Sequence, residues 1–145
     1  MFYRRKSRRT GKNSLASSKR QRRLRLESLE TRNLLAAIPV TTFDDVVDPN
    51  DGETSLREAV VIAANPATNP GEDDIILQPK AKGVYALTQG QLLIDDPTGT
   101  VRLTTQTLQQ ATIDAQGNSR VVRVANGSEL QLAAIKITGG HVQGE

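Results

Sequence analysis

Residues 129–138 read ELQLAAIKIT, with Leu130 and Leu132 on either side of Gln131 and Ile135 and Ile137 on either side of Lys136. This two-residue alternation places aliphatic side chains on one face and polar ones on the other, the pattern of a half-buried strand. Short apolar segments recur at 75–77, 84–87, 92–94, 101–103, 111–113 and 121–124, with turn-forming residues between most of them. Short strands at such spacing predict an all-β chain. Ile76, Ile94, Ile113 and Ile137 are 18, 19 and 24 residues apart, and Pro or Gly follows each within four residues. A loose period of about 20 predicts a parallel solenoid in which equivalent isoleucines stack into an internal ladder, coil upon coil, about 4.8 Å apart. A small sandwich is the alternative.

One segment upstream has helical periodicity instead. Ser55 with Glu58 three residues later is a capping box, and Leu56, Ala59, Val60 and Ala63 fall at i, i+3, i+4 and i+7. Asn65 followed by Pro66 stops the helix. A solenoid exposes apolar side chains and unpaired strand edges at its ends, so a helix laid across one opening has a plain covering role.

The 145-residue chain joins two unlike materials. Residues 1–32 hold twelve basic and two acidic residues, net +10; residues 33–145 hold seven basic and fourteen acidic, net −7; the sum is the chain's +3. Residues 1–25 contain Arg4, Arg5, Lys6, Arg8, Arg9, Lys12, Lys19, Arg20, Arg22, Arg23 and Arg25 and no acid, so a disordered basic leader is expected. It could bind a polyanion or precede an export or sorting signal. Ser7, Arg8 and Arg9 resemble the start of a twin-arginine signal, but Thr10, Gly11 and Lys12 follow where apolar residues would begin. Leu34 to Val40 is the best apolar stretch for a secretory signal but contains Pro39 and follows Glu27 and Glu30, a poor fit to a standard one, and nothing approaches the roughly 20 apolar residues of a membrane span. Absence of Cys excludes disulfides, thiol nucleophiles and thiolate metal sites. The aromatics are Phe2, Tyr3, Phe43 and Tyr85, too few for the stacking platforms of single-stranded nucleic-acid binders.

Residues 26–36 have good helix formers and no Gly or Pro, which predicts a short helix. Leu29, Glu30, Arg32, Leu34 and Leu35 resemble the LEPR-XLL segment near the start of large bacterial surface proteins, with Thr31 where Pro is usual; the resemblance implies sorting or processing. Residues 51–60, DGETSLREAV, followed by Ala64, Asn65, Pro70, Gly71, Asp73 and Ile75, resemble the CSLREAI domain of bacterial surface proteins. Thr54 stands in place of its Cys and Val60 in place of its final Ile. Thr88 to Ile94, the string ATIDAQGNSRVVRV at 111–124, and Ile135 to Gly140 are similar to the first coils downstream of that domain. The resemblance implies a right-handed parallel β-helix.

Several side chains merit weighing as sites. Asp44, Asp45, Asp48, Asn50, Asp51 and Glu53 crowd carboxylates as a calcium loop would, but counting from Asp48 puts Gly52 at position five, where a helix-loop-helix calcium loop needs Gly at six. An acidic turn ahead of a helix N-terminus is the simpler account. Glycosidase chemistry needs two carboxylates about 5 to 9.5 Å apart. Asp95, Asp96 and Asp114 could meet on neighbouring coils, yet each lies near Pro97 or Gly117, where Asp makes turns with its own backbone. His141 has no evident partner. Asn126, Gly127 and Ser128 form a glycosylation sequon but also a tight-turn signal. Arg57 and Glu58 are expected to serve the cap helix.

The expectation is therefore an all-β chain: a basic leader at 1–25, a LEPR-XLL-like sorting segment with a short helix at 26–38, and a CSLREAI-like cap with the first few coils of a right-handed parallel β-helix at 39–145. The function expected is a non-catalytic structural or adhesive scaffold, the N-terminal part of an exported bacterial protein, secreted or on the cell surface. Its partners would be cell-envelope or extracellular-matrix components and further coils of a longer chain. No catalytic, cofactor-binding or metal-binding residue is assigned, and no cofactor or specific nucleic acid is expected. A β-helix polysaccharide lyase or hydrolase is one alternative, and nucleic-acid binding through the basic arm another.

Overall fold

The computed structural model describes residues 35–107, 109–125 and 127–142. The leader at 1–25, residues 26–34 of the helix expected over 26–36, and Asn126 of the sequon lie outside the described residues.

Nine strands and one helix occur among the described residues: β1 (Ala36–Pro39), α1 (Leu56–Ala63), β2 (Asp73–Leu77), β3 (Tyr85–Ala86), β4 (Leu92–Ile94), β5 (Thr100–Thr105), β6 (Ala111–Asp114), β7 (Val122–Val124), β8 (Glu129–Leu132) and β9 (Ile135–Thr138). The chain is broadly all-β, and each of its strand pairings is parallel. The strands form three sheets, ordered β1-β2-β5-β8, β3-β6-β9 and β4-β7. The chain visits the three in turn with β2, β3 and β4, repeats the circuit with β5, β6 and β7, and returns to the first two with β8 and β9. Hairpin-connected sandwiches are antiparallel, so that alternative is set aside.

The register corrects the expected repeat. Ile75 lies opposite Leu103 and Tyr85 opposite Ile113, 28 residues on in both cases; Leu92 lies opposite Val122, 30 on, and Ile113 opposite Ile137, 24 on. One circuit needs three short strands and their corners, which a period near 20 is too short to supply. Ile76, Ile94 and Ile113 consequently belong to three different sheets, and of the proposed ladder only Ile113 and Ile137 stack. The inward residue of β2 is Ile75, fully buried.

Alternation along each strand decides what is inside. Asp73, Ile75 and Leu77 of β2, Val101, Leu103 and Thr105 of β5, and Leu92 and Ile94 of β4 are buried. Leu130 and Ile135 are partly buried, whereas Leu132 and Ile137 are 44% and 42% exposed, because no strand lies beyond β8 and β9 among the described residues.

Helix α1 forms as its sequence requires. Ser55 Oγ accepts from the Glu58 amide at 3.1 Å, and Glu58 Oε2 accepts from the Ser55 amide at 2.8 Å. Leu56, Ala59, Val60 and Ala63 are buried and join the core shared with β1, β2 and β4.

Ala36, expected to end the short helix over 26–36, instead begins β1 (Ala36–Pro39). Ile38 and Val40 enter the core, and the Val40 amide donates to the Ile76 carbonyl at 3.0 Å. Pairing to β2 and this burial outweigh a weak local helix preference. Pro39 is tolerated because β1 is the edge strand.

The corner between β4 and β5 is built on contact between glycines: a methyl group on Gly99 would fall onto the Gly71 carbonyl. Gly99→Ala should therefore cost about 2–4 kcal/mol, as severe backbone overpacking does. Denaturant unfolding should show a lowered midpoint; an unchanged midpoint would mean that the corner has room.

Candidate functional site

The first turn of α1 carries Arg57 and Glu58 side by side, and the structure gives each a distant partner. Arg57 Nε and Nη2 donate to the two oxygens of Asp45 at 2.7 and 3.0 Å. The same guanidinium donates to the carbonyls of Gly90 at 2.9 Å and Gln91 at 3.2 Å. Asp45 Oδ2 also accepts from the amides of Thr88 and Gln89, both at 2.7 Å, and the Gln89 side chain returns to the Asp45 carbonyl at 2.6 Å. Burial opposes the charge of Asp45, but the Arg57 guanidinium and these two amides prevail and hold its carboxyl below the usual range. Glu58 Oε1 accepts from the Asp48 amide at 2.6 Å. Arg57 and Glu58 thus pin the 44–53 loop and the β3–β4 turn to the helix. The sequence showed both residues; their partners, 12 and 10 positions upstream, carried no local signal.

Two further carboxylates of the acidic loop bond to its own backbone. Asp48 Oδ1 accepts from the Asn50 amide at 3.0 Å and Asp51 Oδ1 from the Glu53 amide at 2.8 Å. Asp114 Oδ1 likewise accepts from Gln116 two residues on, at 2.8 Å. His141 is exposed, and its amide donates to the Ser119 carbonyl at 2.8 Å. Gly127 has φ +75°, and the Ser128 amide donates to the Ala125 carbonyl at 2.9 Å, a tight turn. Phe43 and Tyr85 pack ring to ring with centroids 4.7 Å apart, and the buried Tyr85 hydroxyl accepts from the Gln78 amide at 2.8 Å.

Asp96 behaves differently from Asp95 and Asp114. It is wholly buried, and its Oδ1 accepts from the Thr98 amide at 2.9 Å and the Thr98 hydroxyl at 2.7 Å, while its own amide donates to Ser128 Oγ at 2.7 Å. Asp96 Oδ2 has no hydrogen-bond partner. Asp73, 1% exposed at the head of β2, also leaves its Oδ2 unpartnered. Burial pushes the Asp73 carboxyl up to about 6, helped by the negative charges of Asp96 and Asp74. The sequence shows Asp73 within the CSLREAI-like run and not as a candidate site, although it occupies the inward phase of DDIIL together with Ile75 and Leu77.

Among the described residues no three His, Asp or Glu side chains are grouped to hold a metal, and no helix is long and apolar enough to cross a membrane. So defined, the described residues are broadly all-β, with parallel sheets and one short helix locked by ion pair and capping box. A family model described as Planctomycete extracellular matches residues 20–39, a similarity that points to an extracellular or surface bacterial protein. No curated protein and no solved structure matches the chain.

Two outcomes are expected. Arg57→Ala leaves Asp45 largely buried without its cation and should lower stability by about 3 kcal/mol; an unaltered thermal melt would show that the pair is dispensable. The second concerns pH. A carboxyl raised from 3.8 to about 6 on folding takes up a proton as the chain folds, so its contribution is full below pH 4 and is lost as pH rises through 6. Asp45, shifted the other way, weakens the fold only in more acid solution. With EDTA present, Tm should fall between pH 4.5 and 6.5, and Asp73→Asn should flatten that slope and raise Tm at pH 7.5. A wild-type Tm that rises across this window would refute the assignment.

Proposed function

We propose that the chain forms the cap and first coils of a right-handed parallel β-helix in an exported bacterial surface protein, and that its role is structural or adhesive. The observation that carries this reading is the circuit through three parallel sheets, with each strand stacked in register on its counterpart one circuit away. Helix α1 supports it by burying Leu56, Ala59, Val60 and Ala63 beside β1, β2 and β4, the place of a capping element. The SLREAV string then has a physical role: Ser55 and Glu58 cap, Arg57 locks, and Leu56, Ala59 and Val60 fill the floor beneath. The CSLREAI-like and LEPR-XLL-like resemblances belong to the same reading, as does the match to extracellular proteins over residues 20–39.

A non-catalytic role is supported by how the carboxylates are used. Asp45, Asp48, Asp51 and Asp114 bond to neighbouring backbone or to Arg57, and Asp73 and Asp96 are closed off from solvent. The apolar cleft of about 340 Å³ between the 44–53 loop and α1 is walled by Val47, Pro49, Val61 and Ile62; of the two carboxylates that line it, Glu53 and Glu58, Glu58 is engaged in capping. Cell-envelope or extracellular-matrix components are the partners such a scaffold would contact through its outward strand faces.

The test uses the purified full chain with pectic, uronate and neutral glycans, assayed both for retention and for new reducing ends or unsaturated products. Retention of an envelope glycan without turnover is the expected result. Turnover abolished by Asp96→Asn or Asp114→Asn would overturn the scaffold reading in favour of a lyase or hydrolase.

A further inference from the structure

Two buried carboxylates face the interior where β2 begins and where the chain turns from β4 into β5. Asp73 is fixed by its strand, paired in register with Ala36 on one side and Val101 on the other. Asp96 is fixed by its corner, through Ser128 at its amide and Thr98 at Oδ1. The two segments are in contact, since the Gly71 carbonyl lies against Gly99. Each side chain is less than 2% exposed, and each keeps one oxygen, Oδ2, with no donor. Buried anions of this kind are ordinarily paired with a cation or bound to a metal. Among the described residues no Lys or Arg reaches either one: the nearest along the first sheet, Arg102, is spent on Asp74 at 3.0 Å and Glu72 at 4.0 Å, in the outward phase.

We propose that Asp73 and Asp96 together hold a calcium ion between the first and second circuits of strands. Two free carboxylate oxygens are hard donors of the type calcium takes, and calcium accepts irregular geometry completed by backbone carbonyls and water. The Gly71 carbonyl borders the same corner. Magnesium, which gives up its water reluctantly, suits a closed interior less well. Calcium sites of extracellular modules work at roughly 10⁻⁴ to 10⁻³ M, and the similarity over residues 20–39 is to extracellular proteins. The bound ion would cross-link the start of β2 to the β4–β5 corner and remove the repulsion between the carboxylates.

The experiment takes the full chain, dialysed against EDTA at pH 7.5, and measures Tm in CaCl₂, in MgCl₂ and in NaCl of matched ionic strength, with bound calcium counted by equilibrium dialysis. At about 10 mM CaCl₂ a rise in Tm of about 5 °C is expected by mass action, with less from magnesium, none from sodium, and one calcium per chain. Asp73→Asn and Asp96→Asn should each abolish the rise and the bound ion, whereas Asp51→Asn, in the acidic loop, should keep both. Absence of bound calcium in the wild-type chain would overturn the proposal whether or not either variant folds. Binding that survives Asp96→Asn but is lost in Asp51→Asn would overturn it too, by moving the ion to the loop. An envelope-binding scaffold without calcium, or a calcium protein that cleaves glycans, would separate this inference from the functional reading.

Discussion

Parallel pairing between circuits is the constraint on which the rest depends. Strands β3 and β4 are two and three residues long, and β2, the strand beside β1, has five. None could stand alone. Each finds its partner 24 to 30 residues away, at the same station of the next circuit. Every such pair closes a long loop before it gains a hydrogen bond, so the first circuit has little stability until a second is laid against it. Helix α1 and β1 pack beside the first circuit. Arg57 and Glu58 fasten the helix to the 44–53 loop and to the β3–β4 turn, joining segments that no strand connects.

The parts of this arrangement legible in the sequence were those written in local periodicity. The eight apolar segments from Ile75 to Ile137 became strands because alternation and turn residues are short-range signals. The capping box at Ser55 and Glu58 was legible for the same reason. Register was not. Which isoleucine stacks on which depends on corner lengths, and corners of unequal size turned an apparent period near 20 into circuits of 24 to 30 residues. β1 was missed because four residues containing Pro39 have no pattern of their own; they are a strand only because β2 is beside them.

The candidate site divides along the same line. Asp48, Asp51 and Asp114 accept from amides two residues on, an interaction readable from spacing alone. Asp45 with Arg57, and Asp73 with Asp96, are long-range pairs whose chemistry is opposite. Asp45 is stabilised as an anion by a bidentate guanidinium and two amides. Asp73 sits in an apolar interior next to a second carboxylate, so its charge is opposed. An Asp in the inward phase of a strand is a local conflict between pattern and residue type, and such conflicts mark places where something other than packing has fixed the residue.

Burial also changes along the stack in a way that follows from the pairing. Leu103, Ile113 and Ile94 are buried to within 1% of completeness, yet their register partners Leu132, Ile137 and Val124 are 44%, 42% and 45% exposed. The side chains point the same way; what differs is that β5 and β6 have a strand on both sides and β4 has α1 packed against it, whereas β7, β8 and β9 have a neighbouring strand on one side only among the described residues. At roughly 25 cal/mol for each Å² of apolar surface removed from water, half-covered Leu and Ile contribute correspondingly less than their partners one circuit back. Among the described residues stability should therefore be graded, greatest around Ile75, Leu103 and Ile113, and least at β8 and β9, which have no strand neighbour on their outer edge there. Amide exchange follows local opening, so this gradient places the slowest protons in β2, β5 and β6 and makes α1, despite its eight residues, part of the stable end through the core residues it shares with β1 and β2.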